Sequence, residues 1–444
     1  MKEQTSSQAS VTTMAAPKQT VGVVTAYGRG DLLAAELKTR GFDVTVVDVS
    51  NALAKRSFAE LEGPFPVARP NPILPAHLEW LMAQSFDEIQ NGFCVWLKGG
   101  PIEMRGRLSD FYTSNHKAVS LFRDYIETIL QSPNKKNEQI RKIEDLPFDD
   151  RWMIELSHTF AGNEIRQLPE CHLSGEPFPF HQTLDVPIFS EESLQKSQKE
   201  IKATGLRWMQ TDGISDVQID RGSVKEIEIN MGRKEVLDCR YYVWCLSSEE
   251  TEAISKKVAQ KLFPNNSVRS DWAWRRFQIH SGKSSIDSIV PKYLLLIEDM
   301  HFPWAGNNMM ILKRRKPDLA DLWVRLPSEN SRKPDQLKAF SQKLEAQLLK
   351  RFPRWSLEIE APWDEGPPLY PVFEPETKKA FGKIKLSNFI FEGPEVAERL
   401  DWAGRFQMQS ETMMRLQTLK NQDLAKAAKS AKKDKSDDHA LHAP

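Results

Sequence analysis

Cys171, His172 and His181 bring three borderline-soft donors within eleven residues. Thiolate and imidazole are zinc ligands, but a closed structural site takes four donors. The fourth is missing here and the GEPFPF stretch between them reads as a loop, so no metal centre is expected. Trp272, Trp274 and Phe277 interleave with Arg275 and Arg276, a pattern that stacks a ligand or a base through ring faces and guanidinium contacts. On an alternating strand the same pattern packs one sheet face against its neighbour, and both readings stand. Glu103, Asp110 and the pair Asp149-Asp150 are scattered carboxylates and read as surface residues. No GxSxG elbow, HExxH helix or GxxxxGK[ST] loop occurs, which removes the usual signatures of hydrolases, zinc proteases and nucleotide triphosphatases.

The elements that would position such groups are those of a multi-domain globular chain. At 444 residues the length suggests two or three folding units. Hydrophobic residues make up 40%, with 12 Trp and 22 Phe, while 61 basic and 61 acidic residues cancel. No net field then favours nucleic acid or a membrane surface. Apolar runs such as Tyr293 to Ile297 fall far short of the roughly 20 residues needed to span a bilayer. The polar N-terminus has no apolar signal stretch, and a cytoplasmic protein is expected. Cys94, Cys171, Cys239 and Cys245 are too few and too scattered for a disulfide framework.

Residues 1–18 lack periodicity and are expected to be disordered. From Val21 the stretch VGVVTAYGRGDLLAAELKTRGFDVTVVDVS reads as strand, Gly-containing turn, helix and parallel strand. A Pro-rich passage after Pro64 marks a domain boundary. GFCVWLKGGPIEMRG reads as a β-hairpin, followed by helical patterns to about Gln131. After a helix over 190–203, the segment from Gly205 to Ser247 reads as a β-meander with Arg221-Gly222 and Met231-Gly232 turns, ending in an apolar strand. A Trp-rich antiparallel region spans about 263–383 and contains one strong helix from Pro334 to Arg351. A strand, KLSNFIFEG, and a helix starting near Trp402 close the fold. The Lys/Asp/Ala mixture beyond, with Lys426, Lys429, Lys432, Lys433 and Lys435, reads as a solvated tail.

This order of pieces resembles the superfamily of flavin amine oxidases, protoporphyrinogen oxidases and phytoene desaturases. KTRGFDVTVVDVS is similar to that family's helix end, glycine and second strand closing on an acid. ISDVQIDRGSVKEIEI is similar to its meander, and the run from Leu349 through RFPRW and YPVF to NFIFEG resembles its last strand. The resemblance covers nearly all of residues 20–418. It implies an α/β fold: a Rossmann-like, three-layer ββα FAD-binding domain from 19–70, 196–262 and 384–418, an inserted α+β substrate domain on an antiparallel sheet from 71–195 and 263–383, and a charged tail over 419–444.

The resemblance also assigns site residues. The family's GxGxxG turn, whose glycines turn tightly, admit the pyrophosphate and let helix pack on strand, falls on Thr25, Tyr27 and Gly30 when counted back from Gly41. Asp48 matches the ribose-binding carboxylate, Ile214 the residue whose backbone lies beside the adenine, and Gly393 the glycine of a Gly-Asp pair at the flavin. Against this, Thr25 and Tyr27 replace glycines, Pro394 replaces the acid, Gln409 replaces a helix glycine, and NALAKRS around Ala54 replaces an Arg-containing Gly-Gly segment. Gly30 kept for packing alone and Asp48 as an ordinary strand end remain open readings. Two functions follow: a non-catalytic protein that has lost FAD and binds a small molecule or a protein partner, or an active FAD-dependent oxidase or desaturase acting on a small amine, porphyrinogen or polyene. The Tyr27 position separates them.

Overall fold

The computed structural model describes residues 19–64, 199–264 and, with interruptions, 269–425, together with the backbones of the strands Val67–Ala68, Glu88–Asn91, Phe93–Leu97, Gly100–Met104 and Leu184–Ile188. The Cys171, His172 and His181 trio, Asp110, Asp149-Asp150, the side chain of Glu103, the helical patterns up to Gln131, the first 18 residues and the lysines beyond 425 lie outside the described residues.

Strand β1 (Thr20–Thr25), helix α1 (Asp31–Thr39) and strand β2 (Asp43–Asp48) follow the β-branched and helical patterns of their sequence. They belong to a five-stranded sheet in the order Phe389–Phe391, Tyr241–Trp244, β1, β2, Arg207–Gln210. Every pairing in it is parallel. Continuous apolar runs suit such strands because both faces are buried. Strand alternation sorts the side chains. Val21, Val23, Val44 and Val46 pack with Leu33 and Leu37 of α1 and with Met413 and Leu416 of a helix over 408–425. Val24, Val47, Tyr242 and Trp244 pack on the other side with Ile214, Val217, Ile227 and Ile229. Each fully buried Val or Leu of this kind contributes about 1.5–3 kcal/mol.

Those last four residues belong to a three-stranded antiparallel meander, Gly213–Asp220, Ser223–Asn230 and Lys234–Leu237. The expected meander was longer at both ends. Arg207–Gln210 and Tyr241–Trp244 pair instead with β2 and β1, because the chain crosses from one sheet to the other at Thr211 and again at Asp238–Arg240.

A second large sheet is mainly antiparallel and runs Leu357–Glu360, Trp272–Ser281, Leu319–Pro327, Met309–Lys316, Tyr293–Ile297, Phe93–Leu97, Gly100–Met104, with Tyr370–Val372 also on the Trp272–Ser281 strand. The helix Pro334–Arg351, with Pro in its first turn, lays Leu337, Leu344 and Leu348 against Phe277, Leu312 and Leu322 of this sheet. Phe277 and Trp274 of the interleaved aromatic pattern are buried in sheet packing, Phe277 5.8 Å from the Phe340 ring. Trp272 lies under the Arg325 guanidinium at 5.5 Å. The final helix continues through 425, past the expected start of a solvated tail at 419. Lys420 Nζ donates to the Arg40 carbonyl at 3.0 Å and lies over the Phe42 ring, and Asp423 pairs with Arg240 at 2.6 Å and accepts from the Tyr241 hydroxyl. Charges that look solvated in sequence are docked there.

Among the described residues no helix is long and apolar enough to cross a membrane, and no group of three His, Cys, Asp or Glu is placed to hold a metal ion.

Candidate functional site

In an open parallel sheet, ligands bind outside the carboxyl ends of the strands where the strand order reverses. Here that point lies between β1 and Tyr241–Trp244, since β2 and Arg207–Gln210 extend the sheet one way and Phe389–Phe391 the other. The residues singled out in sequence gather around it.

The turn from β1 into α1 is held from inside. Thr25 is fully buried, and its Oγ1 accepts from the Gly30 amide at 2.8 Å. Gly30 has φ −98, which any residue adopts. It is glycine for space: a Cβ would meet Val23 Cγ1 at 2.9 Å and Cys245 Sγ at 3.1 Å. Tyr27 takes φ 57 and Gly28 φ 77, so the backbone turns as it would with glycine although Tyr27 carries a full side chain. A non-glycine residue in this left-handed region costs about 1–2 kcal/mol. Its hydrogen bonds offset that cost. The Tyr27 amide donates to Ser50 Oγ at 2.8 Å and its hydroxyl to the Ala54 carbonyl at 2.5 Å. Burial raises the Tyr27 phenol above its ordinary pKa.

Asp48 ends β2, as the strand pattern requires, and one carboxylate oxygen accepts from both the amide and the hydroxyl of Ser50. Ile214 is buried in the meander opposite Ile229. The crossing that brings the meander to β2 is fixed by the Thr211 amide donating to the Asp48 carbonyl at 2.9 Å. Gly393 follows Phe389–Phe391, and a Cβ there would lie 2.2 Å from Phe391 Cζ and 2.5 Å from Glu395 Oε2. Gln409, at the start of the last described helix, donates from Nε2 to the Arg29 carbonyl at 2.8 Å. Thus Thr25, Tyr27, Gly30, Asp48 and Gln409 converge on one turn, while Ile214 and Gly393 sit on the segments that flank it.

Sequence reasoning missed a charge pair at this turn. Arg29 Nη2 donates to both oxygens of Glu250, each at 2.7 Å, with the Glu250 side chain 2% exposed. Arg29 Nε also donates to the Ala26 carbonyl. Glu250 belongs to the short helix Ser248–Ile254, where it closes a capping box with Ser247. The spacing Ser247 to Glu250 was a readable cap signal; its partner 221 residues earlier was not.

The surroundings are acidic. Asp31, Glu392 and Glu395 are all buried, and burial pushes each carboxyl up to about 7, with Asp48 adding to the effect at Asp31. Glu395 Oε1 accepts from the Ser248 amide and hydroxyl, both at 2.6 Å. Cys245 Sγ lies 3.5 Å from Glu392 Oε2, and burial drives its thiol pKa well up.

A pyrophosphate needs bare amides at the start of α1 and a positive surrounding. The amides of Tyr27, Arg29, Gly30 and Asp31 already donate to Ser50, Ala26, Thr25 and Gly28. Arg29 is paired, and buried carboxyls stand close by. With Glu250 on Arg29 and these amides engaged, the residues as arranged do not fit the diphosphate of FAD.

A chain of contacts leads from this turn to the large sheet. Beyond Ala54, helix α2 (Phe58–Glu62) begins at a Ser57–Glu60 capping box. Ser57 Oγ accepts from Arg276 at 2.8 Å, and Glu62 pairs with Arg315 and, at 3.6 Å, with Lys313. The Tyr370 hydroxyl donates to the Leu61 carbonyl at 2.9 Å. Asp321 holds Arg276 at 2.7 Å and Arg315 at 2.5 Å, and burial lowers the Lys313 pKa.

No family model matches the sequence, and no curated protein matches it in sequence. Solved structures do match in fold. An oxidoreductase from Methanosarcina mazei superposes with a TM-score of 0.55 at 14% identity, covering 89% of this chain and 100% of the other. A putrescine oxidase double mutant with redesigned cofactor binding gives 0.55 at 11% identity, over 90% and 100%. Wild-type putrescine oxidase bound to putrescine gives 0.52 at 10% identity, over 90% and 99%.

Proposed function

We propose that the chain, which shares the fold of an oxidoreductase and of putrescine oxidase, is a non-catalytic protein of FAD-dependent amine oxidoreductase architecture, which has given up the cofactor and serves as a binding or scaffolding module. In this reading the parallel sheet, its helices and the meander are the three ββα layers of the former FAD domain, and 71–195 with 263–383 are the inserted α+β domain. Its occupant is a small molecule or a protein partner, and its compartment is the cytoplasm. The observation that carries the reading is the β1–α1 turn. Tyr27 stands in a glycine conformation with its amide on Ser50, and Asp48 is engaged by the same Ser50. The phosphate donors, and one oxygen of the ribose carboxylate, are thereby used internally.

The test is direct. The purified protein is expected to be colourless, and FAD up to hundreds of micromolar to leave its Tm unchanged. A ligand at about 100 times its Kd stabilises a fold by about 2.7 kcal/mol, which a melting scan resolves. Flavin released into the supernatant on denaturation, or a clear rise in Tm, overturns the reading and returns the active oxidase or desaturase. The double variant Thr25→Gly with Tyr27→Gly locates the block: recovered flavin binding assigns it to the turn alone.

A further inference from the structure

At the switch point a charge pair bridges the two diverging segments. The segments leaving β1 and Tyr241–Trp244 run side by side, Val24 opposite Trp244 and the Cys245 amide on the Val24 carbonyl. Arg29 on one segment and Glu250 on the other therefore meet across the crevice. Both Glu250 oxygens are spent on one Arg29 nitrogen, and Oε2 also accepts from the Ser247 amide at 2.8 Å. A guanidinium recognises carboxylate and phosphate by the same planar geometry.

We propose that the Arg29–Glu250 pair is an intramolecular plug, in which the Glu250 carboxylate sits on the guanidinium where a phosphate- or pyrophosphate-bearing ligand would bind, so that such a ligand enters only when Glu250 is withdrawn. The inference rests on the reading that wild-type protein holds no FAD. Gln409 fixes the carbonyl of Arg29, and Arg29 Nε is fixed on Ala26, so the guanidinium is positioned without Glu250. Glu250, by contrast, rides on a seven-residue helix that ends at Ser255. Withdrawing this carboxylate leaves a positioned, largely buried cation without the carboxylate it pairs with, which favours an external anion.

The experiment uses the full chain and inorganic pyrophosphate, with ADP as a second probe, at about pH 6, where Glu392 and Glu395 stay protonated. Glu250→Gln is expected to show a saturable rise in Tm with pyrophosphate, and an affinity about tenfold or more above wild type, one tenfold being about 1.4 kcal/mol. Wild type and the double variant Arg29→Gln with Glu250→Gln are expected to respond only as they do to sodium chloride of equal ionic strength. If Glu250→Gln does not fold, Glu250→Asp draws the carboxylate back by one methylene and is expected to give a weaker shift of the same kind. No shift in the folded variant, or an equal shift in the double variant, overturns the plug. Flavin found on wild type would sink the cofactor-free reading, whereas a silent Glu250→Gln beside flavin-free wild type sinks the plug alone.

Discussion

Glu395→Gln converts the buried acids of the crevice into a measurable pH dependence. Glu395 is fully buried; Oε1 takes two hydrogen bonds from Ser248, and among the described residues Oε2 has no hydrogen-bond partner. Desolvation raises its pKa from 4.5 to about 7. The folded state thus keeps a proton that the unfolded chain loses near 4.5. Its stabilising contribution is complete below that value and is lost as pH rises through about 7. At about 1.4 kcal/mol for each tenfold in proton affinity, the loss is about 3 kcal/mol. Glutamine keeps the acceptor for Ser248 and never ionises. The variant should gain on wild type by about that amount between about pH 4.5 and 7.5. For 444 residues, unfolding entropy near 2.1 cal/mol/K per residue turns this into about 3 °C of Tm. Scanning calorimetry of both proteins across this window reads it. Melting curves that stay parallel would refute the assignment of a neutral, desolvated carboxyl to this position.

Gly30→Ala forces a methyl into Val23 and Cys245 and is expected to cost about 1–3 kcal/mol in chemical denaturation. Leu344→Ala empties a fully buried position where the long helix meets the large sheet, with an expected loss of about 2–5 kcal/mol by the same measurement. Asp423→Asn weakens the contacts to Arg240 and Tyr241; a loss below about 1 kcal/mol is expected, since Arg240 is largely exposed, with faster amide exchange confined to the last helical turns.

The first strand, helix and second strand are readable because β-branched runs and helical spacing there agree with one local structure. The same holds for Pro334–Arg351, whose first residue is a helix-starting proline. The meander's outer segments were misplaced for a local reason. Thr211–Gly213 and Asp238–Arg240 carry ordinary turn signals, and nothing in a turn states whether the next strand stays in the sheet or leaves it. At the site, Tyr27 could be recognised as a bulky residue in a glycine position, and its positive φ follows from that position. Its stabilisers could not be recognised. Ser50 is 23 residues away and Glu250 lies 221 residues beyond Arg29, and such contacts come from the fold, not from local pattern. The docked Lys420 and Asp423 were hidden for the opposite reason, since alternating charge looks the same whether solvated or paired.

The segment from Ser50 to Gly63 has a mechanical consequence. One end is tied to the crevice through Tyr27 and the other is clamped on the large sheet by Arg276, Lys313, Arg315 and Tyr370. It works as a tie rod. A displacement at either anchor would have to be absorbed within this segment or passed to the other anchor. Coupling of this kind is reciprocal in free energy. Were a ligand to bind at the turn, its affinity and any contact made on the sheet would then favour or oppose each other equally in both directions.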